Sequence, residues 1–212
     1  MENVTEQEQL EAIRKWWKEN GKAIVAGLLI GLTGVIGWQQ WNAWKVRQSE
    51  DASALYQKVT AAVQDGDSNE ATSVAADLVA DYEGSPYAAL ALFALAAKDI
   101  DEGRLDAARE RYEWVIAKAA QPEHADIARL RLARILLAEG EHEAALGAID
   151  VVGQSFRAEA DELKGDVYAV QGDTGRAREA YQAAVATLAM EGGSNPWLIM
   201  KLEDLTAPVE GN

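Results

Sequence analysis

An all-α fold is predicted for this 212-residue chain: one membrane-spanning helix near the N-terminus, then a solenoid of helical hairpins. Three observations predict it. Between Lys22 and Lys45 lie twenty-two residues without a charge, in a protein of formal charge −15. Beyond residue 50 almost nothing reads as strand, because Ala, Leu, Glu, Arg and Gln dominate and apolar residues recur every three or four positions. Finally, a glycine with an alanine five residues on recurs at Gly66/Ala71, Gly103/Ala108, Gly140/Ala145 and Gly172/Ala177, with glycine spacings of 37, 37 and 32 residues.

Taken in order, residues 1–22 form a cytoplasmic leader in which Leu10, Ile13 and Trp16/Trp17 recur at helical spacing, as in a short amphipathic segment. Residues 23–44 form the transmembrane helix. At about 1.5 Å per residue it is roughly 33 Å long, enough to cross a hydrocarbon core of about 30 Å. Four glycines, Gly27, Gly31, Gly34 and Gly37, would each weaken a helix in water by about 1 kcal/mol relative to alanine. In lipid no water competes for the backbone, so the glycines are tolerated. Trp38, Trp41 and Trp44 at one end and Trp16 and Trp17 near the other place indole rings at both headgroup boundaries. A signal peptide fits badly, since the leader is long, carries five glutamates, and the run ends in WQQWNAW with no small-residue cleavage site. The helix of a soluble core is the other competitor. Three tryptophans beside two glutamines suit a boundary better. Ala23, Gly27, Gly31 and Gly34 make a small-residue stripe on which another membrane helix could pack closely, against the plain reading that glycine is common in spans.

Orientation follows from the basic residues. Arg14, Lys15, Lys18 and Lys22 precede the span, while only Lys45 and Arg47 follow it closely. That bias keeps the N-terminus in the cytoplasm and puts the domain at 45–206, with its 207–212 tail, outside it, a type II single-pass arrangement. Residues 1–45 are balanced at five basic and five acidic groups, so the whole −15 lies beyond them. So acidic a domain is repelled by phosphate backbones, which argues against nucleic-acid binding.

In the acidic domain, each glycine supplies a turn between two helices and each alanine lets their axes approach. Period, turn and small crossing residue together predict a tetratricopeptide-like α-solenoid. The units 130–149 and 163–185 fit best, with Gly165 and Ala177 as crossing residues and Tyr168 and Tyr181 beside them. The unit at Gly103 has Asp99 where an aromatic residue is expected, and the unit at Gly66 is degenerate. Trp197–Leu205 is expected to cap the open end of the array.

These segments carry a resemblance. With its acidic-basic leader, NGKAIVAGLLIGLTGVIGWQQWN, LRLARILLAEGEHEAAL and LKGDVYAVQGD, the chain resembles the YfgM-type proteins, the ancillary subunit of the bacterial SecYEG translocon. The resemblance implies an inner-membrane protein with a periplasmic domain. It also implies association with translocon subunits and a membrane-anchored peptidyl-prolyl isomerase-like chaperone, in the service of newly exported polypeptides.

Repeat arrays usually bind through the face lined by the first helix of each pair. Projected here, that face takes Leu90, Phe93, Ala97 and Ile100 from one repeat, then Ile127, Leu130, Arg134 and Leu137, then Glu159, Glu162 and Asp166. The expected groove is apolar over its first two-thirds and acidic at its end, suited to an extended, partly hydrophobic peptide. The competing reading is that the apolar members pack between repeats.

Chemistry is not expected. There is no cysteine, and His124 and His142 sit among charged residues outside any HExxH. Ser155 and Ser194 lack a nucleophile elbow, the span glycines form no phosphate loop, and the carboxylates fall at helix ends and turns. Asn3-Val4-Thr5 matches a glycosylation acceptor but is placed in the cytoplasm. The reading is therefore a non-enzymatic scaffold or chaperone accessory without metal or cofactor. Its alternatives are an assembly factor for other envelope complexes, and a regulator whose leader engages a response regulator.

Overall fold

The computed structural model describes residues 6–205, with side chains from residue 8; the Asn3-Val4-Thr5 triplet and the 207–212 tail lie outside the described residues. The chain divides into two compact units, Met1–Glu50 and Asp51–Asn212. Among the described residues all regular structure is helical.

Helix α1 (Glu6–Asp65) supplies all of the first unit that is described. It is the one described helix long and apolar enough to cross a membrane. Val25, Leu28, Leu29, Ile30, Leu32, Val35 and Ile36 are all exposed, Ile30 by 74%. A helix at the centre of a soluble core would hide these side chains, so that competitor is removed. The span's single threonine satisfies itself, its Oγ1 donating to the Leu29 carbonyl at 2.8 Å, as a hydroxyl in hydrocarbon must. At the far end the Trp41 and Trp44 rings lie 5.3 Å apart, and Lys45 Nζ sits 5.5 Å over Trp41. An indole pair topped by an ammonium suits a headgroup boundary.

In the second unit, residues 51–65 pair with α2 (Ser68–Asp81) and α3 (Pro86–Asp101) with α4 (Leu105–Lys118). Next, α5 (Pro122–Ala138) pairs with α6 (His142–Asp150) and α7 (Arg157–Val170) with α8 (Thr174–Met190), before α9 (Pro196–Asp204) closes the array. The four expected turn glycines all adopt positive φ, between +76° and +80°. Each turn closes by the same pair of bonds. At Gly172, for example, its own N–H donates to the Ala169 carbonyl at 3.0 Å and the Asp173 N–H to the Tyr168 carbonyl at 2.9 Å. This Schellman closure satisfies carbonyls that a helix end otherwise leaves open, and only glycine enters it without strain. The alanines that follow, Ala71, Ala108, Ala145 and Ala177, are completely buried.

The unit at Gly66, degenerate in sequence, is a hairpin like the others. Its turn makes the same two bonds, Gly66 N–H to Val63 at 3.3 Å and Asp67 N–H to Ala62 at 2.9 Å. Ala52, Val59, Ala62, Ala71, Ala75 and Leu78 then fill the space between helices. The turn and the small crossing residue are kept, while Val59 and Leu78, with Tyr56, Tyr82 and Tyr87 packed against this core, fill the remaining space. A fifth turn at Gly192, φ +76°, sends the chain into α9. There Leu198 is fully buried beside Ala177, Tyr181 and Ala184, which makes α9 the expected cap. Asn195 starts it, its Oδ1 accepting from the Trp197 and Leu198 N–H groups at 3.0 and 3.4 Å. Asn195→Ala is expected to cost about 1 kcal/mol, read as faster amide hydrogen exchange confined to α9.

Asp99 takes the place of an aromatic residue for a reason the repeat pattern does not contain. Its carboxylate is 2% exposed. One oxygen accepts from Arg104 Nε at 2.9 Å and Nη2 at 2.6 Å, the other from Arg111 Nε at 2.5 Å. The hairpin is joined here by charge rather than by ring packing.

Candidate functional site

Helices α3, α4 and α5 converge on an apolar pocket of about 490 Å³. Their starts are well defined: Ser85 accepts from the Tyr87 N–H with Pro86 opening α3, and Pro122 opens α5. Ala97 and Ile100 line the pocket from α3, Leu105 and Tyr112 from α4, and Arg131, Arg134, Ile135 and Ala138 from α5, with Asp101 beside them. Tyr112 is 1% exposed and forms the floor; burial pushes its phenol up, an effect the Arg131 charge opposes. The Arg131 guanidinium lies 4.8 Å over the Phe93 ring, and Phe93 in turn sits 6.1 Å from Tyr112 and from His124. His124 is therefore half-buried against a ring rather than solvated.

The residues projected onto the groove divide. Ala97, Ile100 and Arg134 meet in the pocket. Phe93 and Leu130, 7% and 4% exposed, belong to the core. Leu90, Ile127 and Leu137 are half-buried against that same core. Glu159 is exposed. Glu162 and Asp166 lie beneath the cap, where Lys201 Nζ of α9 donates to Glu162 at 2.9 Å and to Asp166 at 2.7 and 3.0 Å. Burial pulls the Lys201 ammonium down, but the Asp166 and Glu162 carboxylates outweigh it and its pKa is raised. Asp166 also accepts from the Tyr181 hydroxyl at 2.8 Å, which burial and that carboxylate together push well up. The acidic end of the projected groove is thus engaged by the last helix.

Sequence reasoning missed Tyr112, Arg131 and Ile135. Arg131 stands three residues before Arg134 on the same helix face, a signal that was available. Tyr112 and Leu105 come from the second helix of a hairpin, which the first-helix rule passes over. Along the span, a Cβ added at Gly27, Gly31 or Gly34 would meet nothing within 4 Å, and Ala23 is exposed, so the small-residue stripe is open surface.

Residues 14–207 match the tetratricopeptide repeat-like domain family. Curated relatives are similar over most of their length. An ancillary SecYEG translocon subunit of Escherichia coli (strain K12) is 32% identical over 181 residues, which cover 85% of this chain and 87% of the relative. The protein of the same name from Neisseria gonorrhoeae is 28% identical over 205 residues, 96% of this chain and 98% of the relative. That of Haemophilus influenzae is 27% identical over 183 residues, 86% and 89% respectively.

Proposed function

This chain belongs to the tetratricopeptide repeat-like family of ancillary SecYEG translocon subunits, and from that membership we propose that it is a non-enzymatic, membrane-anchored accessory of the Sec translocon. One observation carries the reading above the rest: a relative bearing that name aligns with 85% of the chain. In this proposal residues 1–22 are the cytoplasmic leader, 23–44 the bacterial inner-membrane span, 45–206 the periplasmic domain and 207–212 its tail. The domain receives exported polypeptides as they emerge, working with a membrane-anchored peptidyl-prolyl isomerase-like chaperone. The pocket at Ala97, Ile100 and Arg134 is the accessible part of its groove, and the stripe Ala23, Gly27, Gly31 and Gly34 is where another membrane helix packs. An apolar pocket on a rigid scaffold supports binding, and neither function nor fold here calls for bond-breaking chemistry.

Extraction in mild detergent and purification through a tag on this chain tests the proposal. Translocon subunits are expected in the purified material at amounts close to that of the bait. Their absence, or their replacement by components of another envelope complex, would overturn it. Topology makes a separate prediction. Protease added to spheroplasts should destroy the repeat domain and spare an N-terminal tag, whereas protection of the repeats would place them in the cytoplasm. Alkali should leave the intact chain in the membrane.

A further inference from the structure

At the N-terminal end of the span, α1 carries a groove of about 570 Å³ along one of its own faces. The groove is charged above and apolar below. Lys18 and Lys22, one turn apart, stand over Val25, Ala26 and Leu29. One wall is the Trp17 indole, which lies across Gly21. A Cβ at Gly21 would come within 3.2 Å of Trp17 Cε2 and 3.3 Å of its Cδ2 and Nε1, so glycine is what lets the ring rest against the helix. Gly27, Gly31, Gly34 and Gly37 have no such neighbour. From Lys18 to Leu29 the helix rises about 16 Å, roughly half of a hydrocarbon core of about 30 Å. The groove therefore has the depth of one leaflet.

The two ammonium groups are uncommitted. Among the described residues, neither Lys18 nor Lys22 forms an ion pair with a carboxylate or stands over an aromatic ring. Glu19 follows Lys18 in sequence, but adjacent helix positions do not face each other. The opposite end of the span differs, because there Lys45 is placed over the Trp41 ring.

We propose that this groove binds one anionic phospholipid, its phosphodiester held by Lys18 and Lys22 and one acyl chain lying along Val25, Ala26 and Leu29 against Trp17. The inference rests on the reading of α1 as a membrane span and names the lipid that its N-terminal end selects. Charge complementarity identifies the occupant. A zwitterionic ethanolamine lipid would bring a third ammonium beside the two already there, whereas a glycerol headgroup adds none. A second apolar helix would leave both lysines unpaired. A soluble phosphate would leave the apolar half of the groove empty. A phosphate joined to a hydrocarbon tail satisfies both halves at the depths where they occur, since ammonium groups attract phosphate at the surface and the tail covers the apolar side chains below it.

The test uses the full chain in nanodiscs of equal parts phosphatidylglycerol and phosphatidylethanolamine, whose two leaflets are equivalent, so orientation plays no part. Native mass spectrometry of the released chain counts the lipids it keeps. Phosphatidylglycerol is expected to be retained about fivefold or more over phosphatidylethanolamine. Lys18→Gln with Lys22→Gln should bring that ratio close to one. Lys45→Gln with Arg47→Gln, the same loss of charge at the other end of the span, should leave the ratio as it was. Gly21→Val keeps every charge but displaces the Trp17 ring, and should lower the ratio as well. Equal retention of the two lipids by the unaltered chain would overturn the proposal. Equal effects of the two double variants would reduce the preference to net charge and overturn it too, as would an unchanged ratio in Gly21→Val, because the groove would then play no part. A chain that stays out of the nanodisc altogether would instead remove the span beneath the proposal.

Discussion

Gly165→Ala is expected to destabilise the repeat domain by about 2 kcal/mol, despite replacing a poor helix former with the best one. A methyl group at Gly165 would lie 2.2 and 2.3 Å from Tyr181 Cε1 and Cδ1, well inside any tolerable contact. The ring has little room to retreat. Tyr181 is 3% exposed, packs beside Ala177, Ala184 and Leu198, and is tethered through its hydroxyl to Asp166. For a domain of this size the expected shift is a Tm lower by about 4–8 °C. Thermal unfolding followed by circular dichroism measures it. A second variant identifies the cause. If the ring is the obstacle, adding Tyr181→Ala to Gly165→Ala should cost less than the two changes made singly, whereas adding Tyr181→Phe should bring no relief. An unchanged Tm for Gly165→Ala would mean that α7 and α8 do not approach as closely as this crossing requires.

Asp99→Ala is expected to cost about 2–3 kcal/mol, just below the roughly 3–5 kcal/mol range for breaking a fully buried pair. The discount has a structural reason. Arg104 is 46% exposed and can turn to water, but Arg111, at 19%, is left facing the space the carboxylate filled. The contrasting pair is Lys118 with Glu83, both about half exposed at 2.9 Å. Removing Glu83 should change stability by less than about 0.5 kcal/mol, because water screens the pair before and after. Chemical denaturation of the two variants side by side decides the matter. Equal effects would show that burial adds nothing at Asp99. Asp99→Leu provides a further check, since filling the site with an apolar side chain should recover part of the loss if the space is otherwise aromatic-sized.

How far the sequence could be read follows from the range of the interactions involved. The turns at Gly103, Gly140 and Gly172 were legible because a positive φ is a demand on one residue, and a buried alanine five positions on is a demand on one neighbour. The span was legible for a similar reason: twenty-two uncharged residues are a local fact about hydropathy. The candidate site was legible only in part. Ala97, Ile100 and Arg134 come from first helices and were found. Tyr112 and Leu105 come from α4 and were not. Phe93 and Leu130 share the spacing of groove residues, yet they point into the core, because helical periodicity defines a stripe without saying which neighbouring helix covers each part of it.

Sequence alone therefore determined the class of the protein: a greasy helix, then hairpins built at glycine turns, in a strongly acidic domain. Each of these depends on residues close together in the chain, and local sterics or hydropathy dictates the outcome. Tertiary structure decided what those elements present. It buried Phe93 beside Tyr112, closed Glu162 and Asp166 under Lys201, joined Asp99 to two arginines, and left Arg131 and Arg134 facing an apolar pocket. The physical reason is that pairing and burial are properties of residues brought together across helices. Their energies depend on which surfaces meet, a quantity that no window along the chain contains.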